Sequence, residues 1–203
     1  MPAHSLLGPR LFRTYVVREN QSSNCTIWQA ARATSAAPTF FKRIRFGVQG
    51  AEEEFVDGGL RCNNPVKQVL EEAESVFGPG RYLACIISIG TGQADVIGLK
   101  SPSGFQRALP LDIITALKQI VTDCELAAED MEGRFKHREN VYFRFNVDRG
   151  LQGVTLDEWK KLGEVTTHTK EYIRKLAVSR TINAAADALR RQPAAVAIAE
   201  WSA

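Results

Sequence analysis

Apolar and polar positions divide the chain into short extended stretches separated by helical repeats. Leu11 to Val17 (LFRTYVV) is rich in aromatic and β-branched residues, and its alternation predicts a strand. Asn20 to Asn24 then reads as a loop. Asn24 is placed to cap a helix carrying Ile27, Trp28, Ala30 and Ala31, which should stop near Ala37 because the residue before Pro38 avoids the α conformation. Phe40 to Phe46 is expected to be extended, and Glu54 to Val56 to form a short strand. Asp57-Gly58-Gly59 turns the chain. Asn64 suits an N-cap and Pro65 a first helical position, and Val66, Val69, Leu70 and Ala73 recur at helical spacing until Gly78-Pro79-Gly80.

Leu83 to Ile89 (LACIISI) is apolar without alternation, the pattern of a strand covered on both faces. Strand, helix and strand in that order imply a parallel sheet and an α/β fold class. Pro110 to Phe135 predicts a long amphipathic helix with Leu111, Ile114, Leu117, Ile120, Val121 and Cys124 on one face. Val141 to Val147 alternates like a half-exposed strand. Thr155 and Glu158 have capping-box spacing before a helix with Leu156, Trp159 and Leu162 on one face. A last helix is expected from Ser179 to Arg191, and 192–203 is left as a tail of undecided structure.

Composition narrows the classes. The 203 residues are 24% charged and 44% apolar, which excludes collagen-like and disordered chains and favours one globular domain. The longest uncharged run, Tyr82 to Ala94, is shorter than the roughly 18 residues a membrane-crossing helix needs. The first residues lack the apolar stretch of a secretory signal, so a cytoplasmic protein is expected. Cys25, Cys62, Cys85 and Cys124 lie far apart and form no zinc-ligand spacing with His4, His137 or His168, so no metal is expected. A net charge of +3 gives no ground for a nucleic-acid partner.

Asp57 is the first candidate for chemistry. A carboxylate at a strand end, followed by two glycines that let a substrate approach the backbone, is placed to act on a bound group. Most Asp-Gly pairs merely turn the chain, so context decides. Gly90-Thr91-Gly92 after a strand has the look of a phosphate cradle but lacks the third glycine of a dinucleotide fingerprint and reads better as a tight turn. Arg32 is more readily a cap or ion-pair partner than a lipid-phosphate ligand. Lys42, Arg43 and Arg45 beside Phe40, Phe41 and Phe46 fit a solvated edge strand better than a headgroup site.

The context is the ordered series Ala31-Arg32-Ala33-Thr34-Ser35-Ala36-Ala37-Pro38, then Asp57-Gly58-Gly59, then Asn63-Asn64-Pro65, then Ser88-Ile89-Gly90-Thr91-Gly92. This resembles the patatin-like phospholipase family, strongly over Leu11 to Gly92 and loosely beyond. The resemblance implies a three-layer α/β fold with a mostly parallel sheet flanked by helices. It implies a lipid acyl hydrolase working without a cofactor on a lipid or phospholipid at a membrane surface, where the protein would sit peripherally. It also implies a Ser-Asp dyad in which Asp57, with Gly58 and Gly59 completing its motif, accepts the proton of a serine in a G-x-S-x-G elbow.

The chain departs from the family pattern because no G-x-S-x-G occurs in it, and 56 residues before Asp57 leave no room for the elbow and its glycine-rich loop. Neither Ser35, in the helix-bearing run, nor Ser88, in an apolar strand, is expected on the strained strand-to-helix turn that exposes a nucleophile. The expectation is therefore the C-terminal portion of a patatin-like domain over 1–191, carrying the base without its nucleophile, inactive alone and partnered by an upstream segment of the same parent protein. The alternative is a non-catalytic lipid-surface or regulatory module of the same fold.

Overall fold

The computed structural model describes 9–17, 24–38, 40–92, 111–152 and 158–190, together with Pro2, Val154 and 196–197; of 111–122 and 196–197 only the backbone is described. The chain forms two compact units, Met1–Pro65 with Ser103–Leu126, and Val66–Pro102 with Ala127–Ala203.

In the first unit, α1 (Ile27–Thr34) starts at a capping box: Thr26 Oγ1 accepts from the Gln29 N–H at 3.4 Å, and Gln29 Oε1 accepts from the Thr26 N–H at 2.8 Å. Thr26, two residues beyond the expected Asn24, is thus the cap. The helix ends at Thr34, before the expected Ala37, because Ser35 leaves the helical conformation at φ −105° and ψ 11°; its N–H and hydroxyl still donate to the Ala31 carbonyl, at 3.2 and 2.8 Å.

The extended segments are an antiparallel hairpin, β1 (Ile44–Val48) and β2 (Ala51–Phe55), with Ile44 opposite Phe55 and Val48 opposite Ala51. Gly50 closes its two-residue turn at φ +83°, a conformation glycine adopts without a Cβ penalty. Ile44, Phe46 and Phe55 point inward onto Ala33, Cys25 and Phe12. Arg43 and Arg45 reach across to Glu54 at 3.1 and 3.9 Å. Leu11 to Val17 is irregular rather than a strand. Its Phe12 side chain is edge-on to Phe55 at 5.4 Å, so this segment contributes a side chain to the core and no ladder to a sheet.

The second unit begins with α3 (Val66–Phe77), preceded in the first by the single turn α2 (Gly59–Cys62). The helix starts one residue after the expected Pro65, and Gly78 terminates it at φ +81° with its N–H on the Glu74 carbonyl. The expected continuous strand is broken at Ala84-Cys85 into β3 (Tyr82–Leu83) and β4 (Ile86–Ile89). β4 pairs in parallel with β5 (Tyr142–Phe145), and the chain between them contains α4 (Leu111–Phe135), the crossover that parallel strands require. The residues expected to form one face of that helix, Leu111 to Val121, lie outside the described side chains.

A 3₁₀ turn (Trp159–Lys161), α5 (Leu162–Arg174) and α6 (Leu176–Arg190) follow. Thr155 and Leu156 lie outside the described residues. Trp159 and Leu162, expected on one face of a helix, are 71% and 64% exposed. Two residues of the expected tail, β6 (Val196–Ala197), pair antiparallel with β3.

β5 carries helices on both faces. Tyr142 joins Val66, Leu70, Met131 and Phe135 from α3 and α4, while Phe143 and Phe145 meet Ala185 and Ala188 of α6. Layering of this kind places the unit in the α/β class. Among the described residues one strand pair is parallel and two are antiparallel. The expected cover on both faces of β4 is incomplete, since Ile89 is 76% exposed. Among the described residues no helix is long and apolar enough to cross a membrane.

Candidate active site

Asp57 follows β2 by two residues, and backbone hydrogen bonds to the end of the preceding helix fix its place. Its N–H donates to the Ala36 carbonyl at 3.1 Å, and the Gly58 N–H donates to the Thr34 carbonyl at 3.4 Å. The alanine-rich run and the Asp-Gly-Gly turn are thereby joined into one loop pair through residues 21 and 24 apart in sequence.

The Asp57 side chain is half-buried. Its Oδ1 accepts from the Gly59 N–H at 2.6 Å, an Asx-type turn in which the charged oxygen orients the first turn of α2. Among the described residues nothing hydrogen-bonds Oδ2, so one oxygen holds the turn and the other remains available to accept a proton. A Cβ on Gly59 would stand 3.0 Å from Asp57 Oδ1, whereas one on Gly58 would meet nothing within 4 Å. The two glycines therefore differ: Gly59 gives room to the carboxylate, and Gly58 leaves an open approach.

The Asn63-Asn64-Pro65 motif splits in the same way. Asn64 is buried and its amide donates to the Cys124 carbonyl at 3.4 Å, tying the loop to α4 rather than capping α3. Asn63 is exposed, with its Oδ1 3.5 Å from the position a Gly59 Cβ would occupy. Sequence reading treated the two asparagines as one helix-start signal and missed this difference; burial, which a local motif does not encode, separates them.

The remaining candidates are committed to structure. Ser35 donates to its own helix, as described, and Ser88 is buried with its hydroxyl accepting from Arg144 at 3.0 Å. Gly90-Thr91-Gly92, in the second unit, is a tight turn after β4: the Gly90 N–H donates to the Phe145 carbonyl at 2.7 Å and the Gly92 N–H to Asn146 Oδ1 at 2.8 Å. A Cβ on Gly90 would collide with the Asn146 side chain and lie 2.7 Å from Arg144 Nη2. Arg32 donates to the Lys42 carbonyl at 2.5 Å and lies over the Phe41 ring at 5.8 Å, a use of the guanidinium that is neither helix cap nor carboxylate pair. Burial pushes the Cys25 and Cys85 thiols up, away from a reactive thiolate. Among the described residues no group of three His, Cys, Asp or Glu side chains is arranged to hold a metal ion.

The sequence pattern of the family described as patatin-like phospholipase matches residues 7–70, which include Asp57, Gly58, Gly59 and both asparagines. The chain is 32% identical over 153 residues to calcium-independent phospholipase A2-gamma of Mus musculus, covering 73% of this chain and 18% of that protein. It is 31% identical over 134 residues to patatin-like phospholipase 1 of Plasmodium falciparum (isolate NF54), covering 60% and 20%. It is 36% identical over 105 residues to patatin-like protein 3 of Arabidopsis thaliana, covering 42% and 24%. The chain thus spans about a fifth of the length of the curated relatives it matches. No solved structure matches it.

Proposed function

Because the chain belongs to the patatin-like phospholipase family, we propose that it carries the base of a lipid acyl hydrolase, with Asp57 as the proton acceptor of a Ser-Asp dyad acting on a lipid or phospholipid ester at a membrane surface. The observation that carries the proposal is the division of labour at Asp57. Oδ1 is held by Gly59 at 2.6 Å, and the backbone is held by Ala36 and Thr34, so Oδ2 has a fixed place from which to work.

The chemistry balances without a metal or cofactor. A serine hydroxyl gives its proton to the carboxylate as its oxygen bonds the ester carbonyl carbon. The tetrahedral intermediate expels the alcohol, which takes that proton, and leaves an acyl-serine. Water then repeats the sequence and releases the fatty acid. The nucleophile comes from a segment outside these 203 residues, since no G-x-S-x-G occurs within them. On this reading the protein works in the cytoplasm, peripheral to a membrane.

The test is hydrolysis of a phospholipid by the full-length protein that bears this chain, with and without Asp57→Asn. Loss of turnover on the order of 10²- to 10⁴-fold is expected for removal of a general base. Full turnover in the variant would remove Asp57 from the mechanism. The absence of a nucleophile motif favours a second reading, a non-catalytic lipid-surface module. Its signature is binding to anionic vesicles with no ester hydrolysis by the wild-type protein.

A further inference from the structure

We propose that Asn63 is a substrate-contacting residue of the Asp57 site, donating its side-chain amide to an oxygen of the lipid ester. This rests on the reading of Asp57 as the base. Three observations point to it. Asn63 Oδ1 and Asp57 Oδ1 both lie within 3.5 Å of the point where a Gly59 Cβ would stand, so the amide and the carboxylate flank the same bare Cα. Asn63 is exposed, and among the described residues its side chain has no hydrogen-bond partner, so its donors are uncommitted. Its neighbour Asn64 already supplies the structural bond of the motif, to the Cys124 carbonyl at 3.4 Å, so local folding does not account for Asn63.

An amide fits the task by its chemistry. It is neutral at every working pH, so it can sit beside a carboxylate without altering the charge of the site, and it offers two N–H donors on a short stem. An ester presents acceptors only, and Asp57 when ionised can only accept. A donor beside that carboxylate is the group a bound ester lacks. A Cβ on the adjacent Gly58 would meet nothing within 4 Å, so the backbone between the two side chains is uncrowded.

The experiment compares steady-state hydrolysis of a short-chain phosphatidylcholine by the full-length protein and by its Asn63→Ala, Asn63→Gln and Asp57→Asn variants. For Asn63→Ala, kcat/KM should fall about tenfold, as for loss of one hydrogen bond to a neutral group. The melting temperature should hold and the pH profile should not move. Asn63→Gln should recover part of the loss, which a merely structural role would not predict. An unchanged kcat/KM in Asn63→Ala overturns the inference alone, provided Asp57→Asn is inactive. A shifted pH profile also overturns it, by showing that Asn63 acts through Asp57. Turnover retained by Asp57→Asn, or no turnover in the wild-type protein, overturns the reading beneath it.

Discussion

The Gly59 N–H donates to Asp57 Oδ1 at 2.6 Å, so the residue two positions after the aspartate fixes the orientation of its carboxylate. An asparagine at position 57 keeps an Oδ1 that accepts the same bond. Asp57→Asn should therefore fold with an unchanged melting temperature while losing the proton acceptor. Circular-dichroism melts beside the hydrolysis assay check this, and a large drop in melting temperature would show that the charge itself holds the turn.

Gly58 and Gly59 should respond differently to alanine. At Gly58 the backbone is α-helical, at φ −64° and ψ −28°, and a Cβ meets nothing. Gly58→Ala should keep its stability to within about 0.5 kcal/mol, the usual range for an unobstructed surface change. It narrows the approach to Asp57, so KM should rise more than kcat falls. At Gly59 the carboxylate must give by a few tenths of an ångström, so Gly59→Ala should act on kcat instead. The KM-against-kcat split of the two variants is the measurement.

Phe55 is fully buried and stacks on Phe46 with ring centroids 4.5 Å apart, and Phe12 closes the cluster edge-on. Phe55→Ala should cost about 3–5 kcal/mol, the usual result of emptying an aromatic site. Because Phe55 ends the strand that leads to Asp57, activity should be lost with the fold of the first unit. Urea unfolding gives the cost, and amide exchange in β1 and β2 locates it.

The hairpin holding Phe55 was only half legible in the sequence. Phe46 and Phe55 announce strands, but the extended reading stops at Phe46 and resumes only at Glu54, leaving the start of the acidic run Glu52-Glu53-Glu54 unassigned. Only the register places Arg45 opposite Glu54 and makes the acidic run a strand, with Arg43 reaching the same carboxylate. Arg10, outside the hairpin, also donates to Glu53. Conversely, Leu11 to Val17 has strand composition but among the described residues pairs with no strand, since composition does not supply a ladder. The Asp-Gly-Gly turn was legible because its residue types are the geometry. The carbonyls of Thr34 and Ala36 that anchor it were not, because any residue offers a carbonyl. The capping box of Thr26 and Gln29 was present to be read and lost to Asn24, two residues farther from the helix.

Acid should weaken the second unit through two carboxylates. Asp130 is held below the ordinary carboxylate range first by its hydrogen bond to Lys67, with Arg134 adding to it, and Asp148 is held down chiefly by Lys175. A carboxylate whose pKa is lowered on folding stabilises the fold above its unfolded value, about 3.9. That contribution is lost as the pH falls through the lower folded value. Both pairs are substantially exposed, so each effect is small. Lys67→Met and Lys175→Met should flatten the acid limb of the stability curve while changing the plateau little. An acid limb identical to wild type would place the pH dependence elsewhere.

Ile89 should govern the solubility of the chain. It is 76% exposed at the end of β4, beside the partly exposed Ile87, and among the described residues β4 has a strand neighbour on one edge only. An apolar side chain at an open strand edge is a template for pairing between molecules, and a lysine at such an edge opposes it. Ile89→Lys should raise the concentration at which light scattering begins. It should leave the melting temperature in place, because the side chain buries little in the folded unit and Ser88, its neighbour, keeps its bond from Arg144. If scattering begins at the same concentration in both proteins, association starts at another apolar site, and Trp159 with Leu162 is the next to change. If the melting temperature falls instead, Ile89 is packed against residues of its own chain, and the edge is closed.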